Sequence, residues 1–141
     1  MVVGVCGVYH DDAIYVSTAK ALAEGQGYRL INLPDSPVQT KYPILYPGLL
    51  ALIWKLWPRF PDNLAAMQYL TLVISATAIA LAYLYLVRFY YFPKGVVLAA
   101  CSLSITSPTF LYFCGLTLSE MPFALVFISA LWLLELISKL P

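Results

Sequence analysis

Four ionisable side chains stand out in a chain that is otherwise mostly apolar: the adjacent acids Asp11 and Asp12, then Lys41, then Glu120. A carboxylate can act as a general base toward a hydroxyl, and an ammonium can hold a phosphate as it leaves. Each also has a plainer use. Aspartate is a preferred residue at the start of a helix, and a glutamate such as Glu120 suits the positive end of one. A lysine at a membrane edge keeps its stem among apolar groups and its charge in water. Residue type and spacing leave both uses open at each position.

The elements that must position these groups follow from the flanking residues. Asp11 and Asp12 precede Ile14, Thr18, Ala21 and Leu22, which fall on one side at helical spacing, with Lys20 and Glu24 on another. Gly25 and Gly27 end the pattern, as glycines that reach the left-handed conformation commonly do. The expectation is an amphipathic helix lying along a surface, with its acidic N-terminus held in place. From Arg29 to Lys41 the turn formers Asn32, Pro34, Asp35, Ser36 and Pro37 predict a loop. Pro47 suits the first turn of a second short helix, whose apolar run from Gly48 ends at Trp57-Pro58. Trp54, Lys55 and Trp57 at its end fit a helix lying in the headgroup zone.

Composition sets the class. The 141 residues are 62% hydrophobic and 11% charged, with mean hydropathy +0.82, far outside the range of soluble domains. The prediction is an all-α integral membrane protein. A formal net charge of +1 argues against nucleic acid as a partner, which needs a basic face to offset phosphate. No cofactor is predicted, and divalent metal dependence is left open. His10 is the single histidine and reads as structural, and no zinc-ligand spacing occurs. Cys101 and Cys114 sit at opposite ends of one apolar segment, about 20 Å apart if helical, too far to bridge.

Three spans are predicted. Leu64 to Val87 runs 24 residues without a charge, Gly95 to Phe113 is diluted by hydroxyls and kinked by Pro108, and a third helix runs from Ser119-Glu120 to about Ile137. Ser119 is expected to cap that helix, Pro122 to lie in its first turn, and Glu135 to pair with Lys139 at its far end. Residues 1–8 are apolar but too short to cross, and read as the end of a spanning helix whose beginning is missing, so that the chain is a fragment. Three regions result: the stub 1–8, a loop 9–63 with two membrane-surface helices, and the spanning segment 64–141. The basic turn Arg88-Phe89-Tyr90-Tyr91-Phe92-Pro93-Lys94 is expected on the cytoplasmic side, which puts the loop carrying Asp11 outside. Tyr15, Tyr28, Tyr42 and Tyr46 read as interfacial anchors rather than sugar-stacking rings.

The run Asp11-Asp12-Ala13-Ile14-Tyr15, continuing Ala19-Lys20-Ala21-Leu22-Ala23-Glu24-Gly25 and Tyr28, resembles the first extracytoplasmic loop of the GT-C membrane glycosyltransferases. The nearest branch is the protein O-mannosyltransferase and aminoarabinose transferase group. Lys41-Tyr42-Pro43 with Tyr46-Pro47-Gly48 is similar to that family's second loop feature, although Tyr42 stands where the family often has proline. Ser119-Glu120-Met121-Pro122 is similar to its acidic turn before a span.

The resemblance implies a partial GT-C fold, with two interfacial helices in the first extracytoplasmic loop followed by three transmembrane helices. It implies a multi-pass protein of the cell membrane that transfers a sugar, with inversion, from a polyprenyl-phosphate-linked donor to a hydroxyl acceptor. Asp11 takes the place of the catalytic base, Asp12 orients it or the acceptor, Lys41 meets the donor phosphate, and Glu120 is a supporting acid. Family members carry many more spans, so the fragment alone is expected to be inactive. The alternative is a small non-enzymatic membrane protein, an assembly subunit or a piece of a transporter. The transporter version is weakened because Leu64 to Val87 and Gly95 to Phe113 hold no Asp, Glu, Lys, Arg or His.

Overall fold

The structure of the protein, a computed structural model, describes residues 6–7 and 9–139. It contains six helices among them: α1 (His10–Ala23), α2 (Leu45–Leu56), α3 (Leu64–Phe89), α4 (Lys94–Thr106), α5 (Pro108–Cys114) and α6 (Glu120–Ser138). The expected helix end over residues 1–8 falls mostly outside the described residues; Cys6 and Gly7 are not helical. The chain divides into two compact units, Met1–Leu70 with Leu116–Leu118, and Thr71–Gly115 with Ser119–Pro141.

In the first unit α1 and α2 pack side by side and run in the same direction. Tyr15 meets Tyr46 near their N-terminal ends, and Lys20 reaches Trp54 near their C-terminal ends. Parallel neighbours need a connection that returns the full length of the pair, and residues 24–44 supply it. Gly25 and Gly27, with φ of +74° and +79°, turn the chain out of α1. The return then folds on itself through an antiparallel bridge between Arg29 and Val38, flanked by Leu30 N–H to Pro37 C=O and Gln39 N–H to Tyr28 C=O, each 2.9 Å.

The two helices bury different amounts of surface. On α2 the buried residues Tyr46, Pro47, Leu50, Ala51 and Trp54 recur at three- and four-residue steps, a single seam. On α1 the buried set is Asp12, Ile14, Tyr15, Val16, Thr18, Ala19 and Ala21, which spans roughly 220° of the helix circumference at 100° per residue. That corrects the single apolar stripe expected for α1, and Leu22, assigned to that stripe, is only half-buried. Small residues explain the difference. Ala19, Ala21 and Thr18 are wholly enclosed, and their short side chains let neighbouring backbone come close. Thr18 satisfies its hydroxyl locally, donating 2.7 Å to the Ile14 carbonyl.

The second unit is built on length and apolarity. Two helices, Leu64–Phe89, whose first turns belong to the first unit, and Glu120–Ser138, are long and apolar enough to cross a membrane, or three spans if the bent pair α4–α5 counts as one. The predicted kink is a full break of 67°. Ser107 is extended, with φ −66° and ψ 136°, and its side chain accepts the Phe110 N–H at 3.2 Å while Pro108 takes the first helical position. Proline clashes with a helical predecessor and lacks the N–H that would continue α4, so α4 stops and α5 starts afresh with its own cap. Within this unit Phe89 meets Trp132 at 5.1 Å, and the Lys139 ammonium lies 4.5 Å from the Phe89 ring centroid. The C-terminal ends of α3 and α6 therefore share one end of the unit, and α4–α5 must carry the chain back toward the other.

Two details at α6 depart from expectation. Ser119 holds the N-cap position with helical backbone angles, and its side chain makes no capping bond. Lys139 lies over Phe89, and among the described residues no ion pair joins it to Glu135. An aromatic face competes well with a carboxylate for an exposed cation, since a surface ion pair contributes little.

Candidate functional site

Asp11 and Asp12 lie in the first turn of α1, two and three residues past the N-cap, which is Tyr9, with φ −109° and ψ 142°. Both acids favour the positive end of the helix. Their surroundings then separate them. Asp12 turns inward and is 1% exposed. Its Oδ2 accepts the Gly7 N–H at 2.9 Å and its Oδ1 the Ala13 N–H at 2.6 Å, so both carboxylate oxygens are engaged by backbone. Gly7 has φ +91°, which glycine alone adopts without strain, and that turn aims its N–H at Asp12.

Asp11 is half-buried and reaches across to the return segment, where the Tyr42 hydroxyl donates to its Oδ1. Tyr42 is held at its ring and at its backbone. Its ring meets the edge of Tyr15 at 5.1 Å and 64°, and Tyr15 in turn packs on Tyr46 of α2. The Tyr28 hydroxyl donates 3.0 Å to the Tyr42 carbonyl. Burial, then the nearby Tyr15, raise the Tyr28 phenol above its ordinary value, against a hydrogen bond with Thr18 that lowers it.

Lys41 is exposed, and its ammonium lies 4.7 Å from the centroid of the Tyr42 ring. Hydrogen bonding to Tyr42, with the charge of Asp11 adding, raises the Lys41 ammonium above its usual value, so it carries its charge through the neutral range. Its backbone is fixed as well: the buried Gln39 accepts the Lys41 N–H on Oε1 at 2.8 Å. Among the described residues Asp11 and Lys41 form no direct ion pair. Tyr42 joins them, through its hydroxyl on one side and its ring face on the other.

The structure thus brings Asp11 and Lys41 together and turns Asp12 away as an internal brace. Glu120 opens α6 in the second unit and is exposed. Sequence reasoning missed Tyr42. Its signal was present as the residue between Lys41 and Pro43 that departs from the pattern of the resembling family. Among the described residues no group of three or more His, Cys, Asp or Glu could hold a metal ion.

A cleft of about 470 Å³ opens in the first unit at the C-terminal ends of α1 and α2, lined by Lys20, Glu24, Lys55 and the stacked rings of Trp54 and Phe60. Its charges are already answered. Lys20 lies 3.8 Å from Glu24 and 6.0 Å from the Trp54 ring, and Lys20 and Lys55 stand in the last turns of their helices, where the carbonyl ends favour cations.

Chemically, the Asp11 end of the unit offers a carboxylate with one oxygen fixed, a phenol and an exposed ammonium. That set can take a proton at one point and hold an anion beside it. Comparison of the chain with known protein families, curated proteins and solved structures finds no match in any of the three.

Proposed function

We propose that the chain carries the base and the donor-phosphate contact of a GT-C-type membrane glycosyltransferase. The reading is supported above all by the Asp11–Tyr42–Lys41 cluster, in which a base and a cation separated by 29 residues of chain meet at one end of a rigid helix pair. Asp11 takes the proton of an acceptor hydroxyl as its oxygen attacks the anomeric carbon of a sugar on polyprenyl phosphate. The new C–O bond forms as the bond to phosphate breaks, on opposite faces of the carbon, which inverts it. Lys41 meets the departing lipid phosphate. In this reading α1 and α2 lie at the extracytoplasmic surface of the cell membrane. The exposed apolar side chains of α2, Leu45, Leu52 and Leu56, suit that placement because they need a nonaqueous neighbour.

Membranes containing the full-length protein, supplied with tritiated dolichyl- or undecaprenyl-phosphate mannose, test the proposal. Asp11→Asn is expected to lower transfer at least roughly 100-fold, the scale of a lost general base, with unchanged membrane abundance. Transfer by D11N at the normal rate overturns it. Lys41→Ala is expected to raise the KM for the lipid donor, and unchanged donor kinetics return Lys41 to the role of interfacial anchor.

A further inference from the structure

We infer that Tyr42 is a positioning residue, which fixes the proton-accepting oxygen of Asp11 through its hydroxyl and presents Lys41 through its ring. The inference rests on Asp11 being the base of the proposed transferase. A carboxylate has two equivalent oxygens and a terminal torsion with a broad, roughly two-fold preference. Left alone, Asp11 on the first turn of α1 would present either oxygen over a range of angles. The Tyr42 hydroxyl occupies Oδ1, and this leaves Oδ2 as the oxygen that meets an acceptor.

Restriction of that kind is useful only if Tyr42 is itself immobile, and two contacts, one of them with a buried ring, make it so. The Tyr15 edge holds the ring, the Tyr28 hydroxyl holds the carbonyl, and Tyr15 is 2% exposed and locked between Tyr42 and Tyr46. The same ring then does a second task. Its face carries the Lys41 ammonium at 4.7 Å, on a residue whose backbone is pinned by Gln39. Base and cation are thus referenced to one rigid group, and positioning of reacting groups is worth large factors in rate. A proline directly after Lys41 would supply neither the hydroxyl nor an aromatic face.

Hydroxyl and ring can be separated by substitution. Tyr42→Phe removes the hydroxyl and keeps the ring, its Tyr15 contact and the aromatic face beside Lys41. In the full-length protein in nanodiscs, with ¹³C-labelled aspartate and the Asp11 signal identified by its loss in D11N, Y42F should shift and broaden the Asp11 carboxyl resonance at neutral pH, because the carboxylate regains its broad, roughly two-fold torsional freedom. Transfer should show a kcat lowered about tenfold or more, with a donor KM changed less than in Tyr42→Leu. Tyr42→Leu removes the ring as well and should add a rise in donor KM, because Lys41 loses its platform.

An unchanged Asp11 carboxyl resonance in Y42F overturns the inference whatever the activity does. Transfer by D11N at the wild-type rate overturns the transferase reading instead, and the resonance, which needs no turnover, tells the two failures apart. A purely structural role would lower stability in both variants without separating their effects on kcat and donor KM, and that outcome also overturns it.

Discussion

The first unit encloses several polar groups around the α1–α2 pair, whereas most apolar side chains of the second lie open, as some on α2 also do. In the first, Asp12, Thr18, Asn63 and Thr117 are all at most 1% exposed, and Asn63 donates 2.9 Å to the Trp57 carbonyl. In the second, Leu103, Phe123 and Ile137 are 75%, 69% and 63% exposed, and only 6% of the most apolar stretch of α6 is buried. The contrast follows from the solvent each must face. Burial of apolar surface organises a compact unit, which achieves it by close packing and by hydrogen-bonding enclosed polar groups such as Asp12 and Thr18. Lipid is as apolar as leucine, so a spanning helix gains little by hiding its side chains and needs only internally bonded backbone.

Substitutions can break that contrast or sharpen it. The largest effect is expected at Leu50, fully buried on α2. Leu50→Ala should destabilise the first unit by about 2–5 kcal/mol, while Leu103→Ala on α4 should stay within about 0.5 kcal/mol. Denaturation in detergent checks both, and equal costs would abolish the distinction between the units. Next is Phe127→Arg on α6, 55% exposed. An arginine facing lipid near mid-span should cost about 2.5–3.5 kcal/mol in a membrane-insertion assay, and unimpaired insertion would remove α6 from the spans.

Asp12→Ala deletes the acceptor of the Gly7 and Ala13 N–H groups and should cost about 1–3 kcal/mol, read from the melting temperature. Its effect on transfer should be far smaller than that of Asp11→Asn. Ser107→Ala removes the cap of α5 at a cost of about 1 kcal/mol, and hydrogen exchange at the Phe110 amide should accelerate. The smallest effect concerns Tyr28, whose phenol is raised above its ordinary value of 10.0. The folded chain therefore holds that proton more tightly than the unfolded one. Its contribution is intact below pH 10 and declines as pH rises through the elevated value. Tyr28→Phe should flatten an alkaline melting profile of the first unit over that range.

Much of this architecture is written along the chain. A run of 24 uncharged residues can only be a long apolar helix, and α3 is found at Leu64–Phe89. Ser107-Pro108 forces a break because proline acts on its immediate predecessor, and Gly25 and Gly27 end α1 because a left-handed turn is a local event. The extent of burial on α1 was not legible in the same way. Periodicity detects one apolar stripe, and alanines that pack on several sides carry no mark of it.

The two acids illustrate the remaining division. The sequence by itself determined that Asp11 and Asp12 stand at a helix start, and that Lys41 stands in the segment leading into the next helix. Only the tertiary structure decided which acid faces inward, and that Tyr42 links the other to Lys41. Helix starts, breaks and spans depend on neighbours within a few residues, which any short window contains. The direction of a side chain one position further along a helix, and its partner 31 residues away, depend on how α1, the return segment and α2 pack together, and no local pattern encodes that.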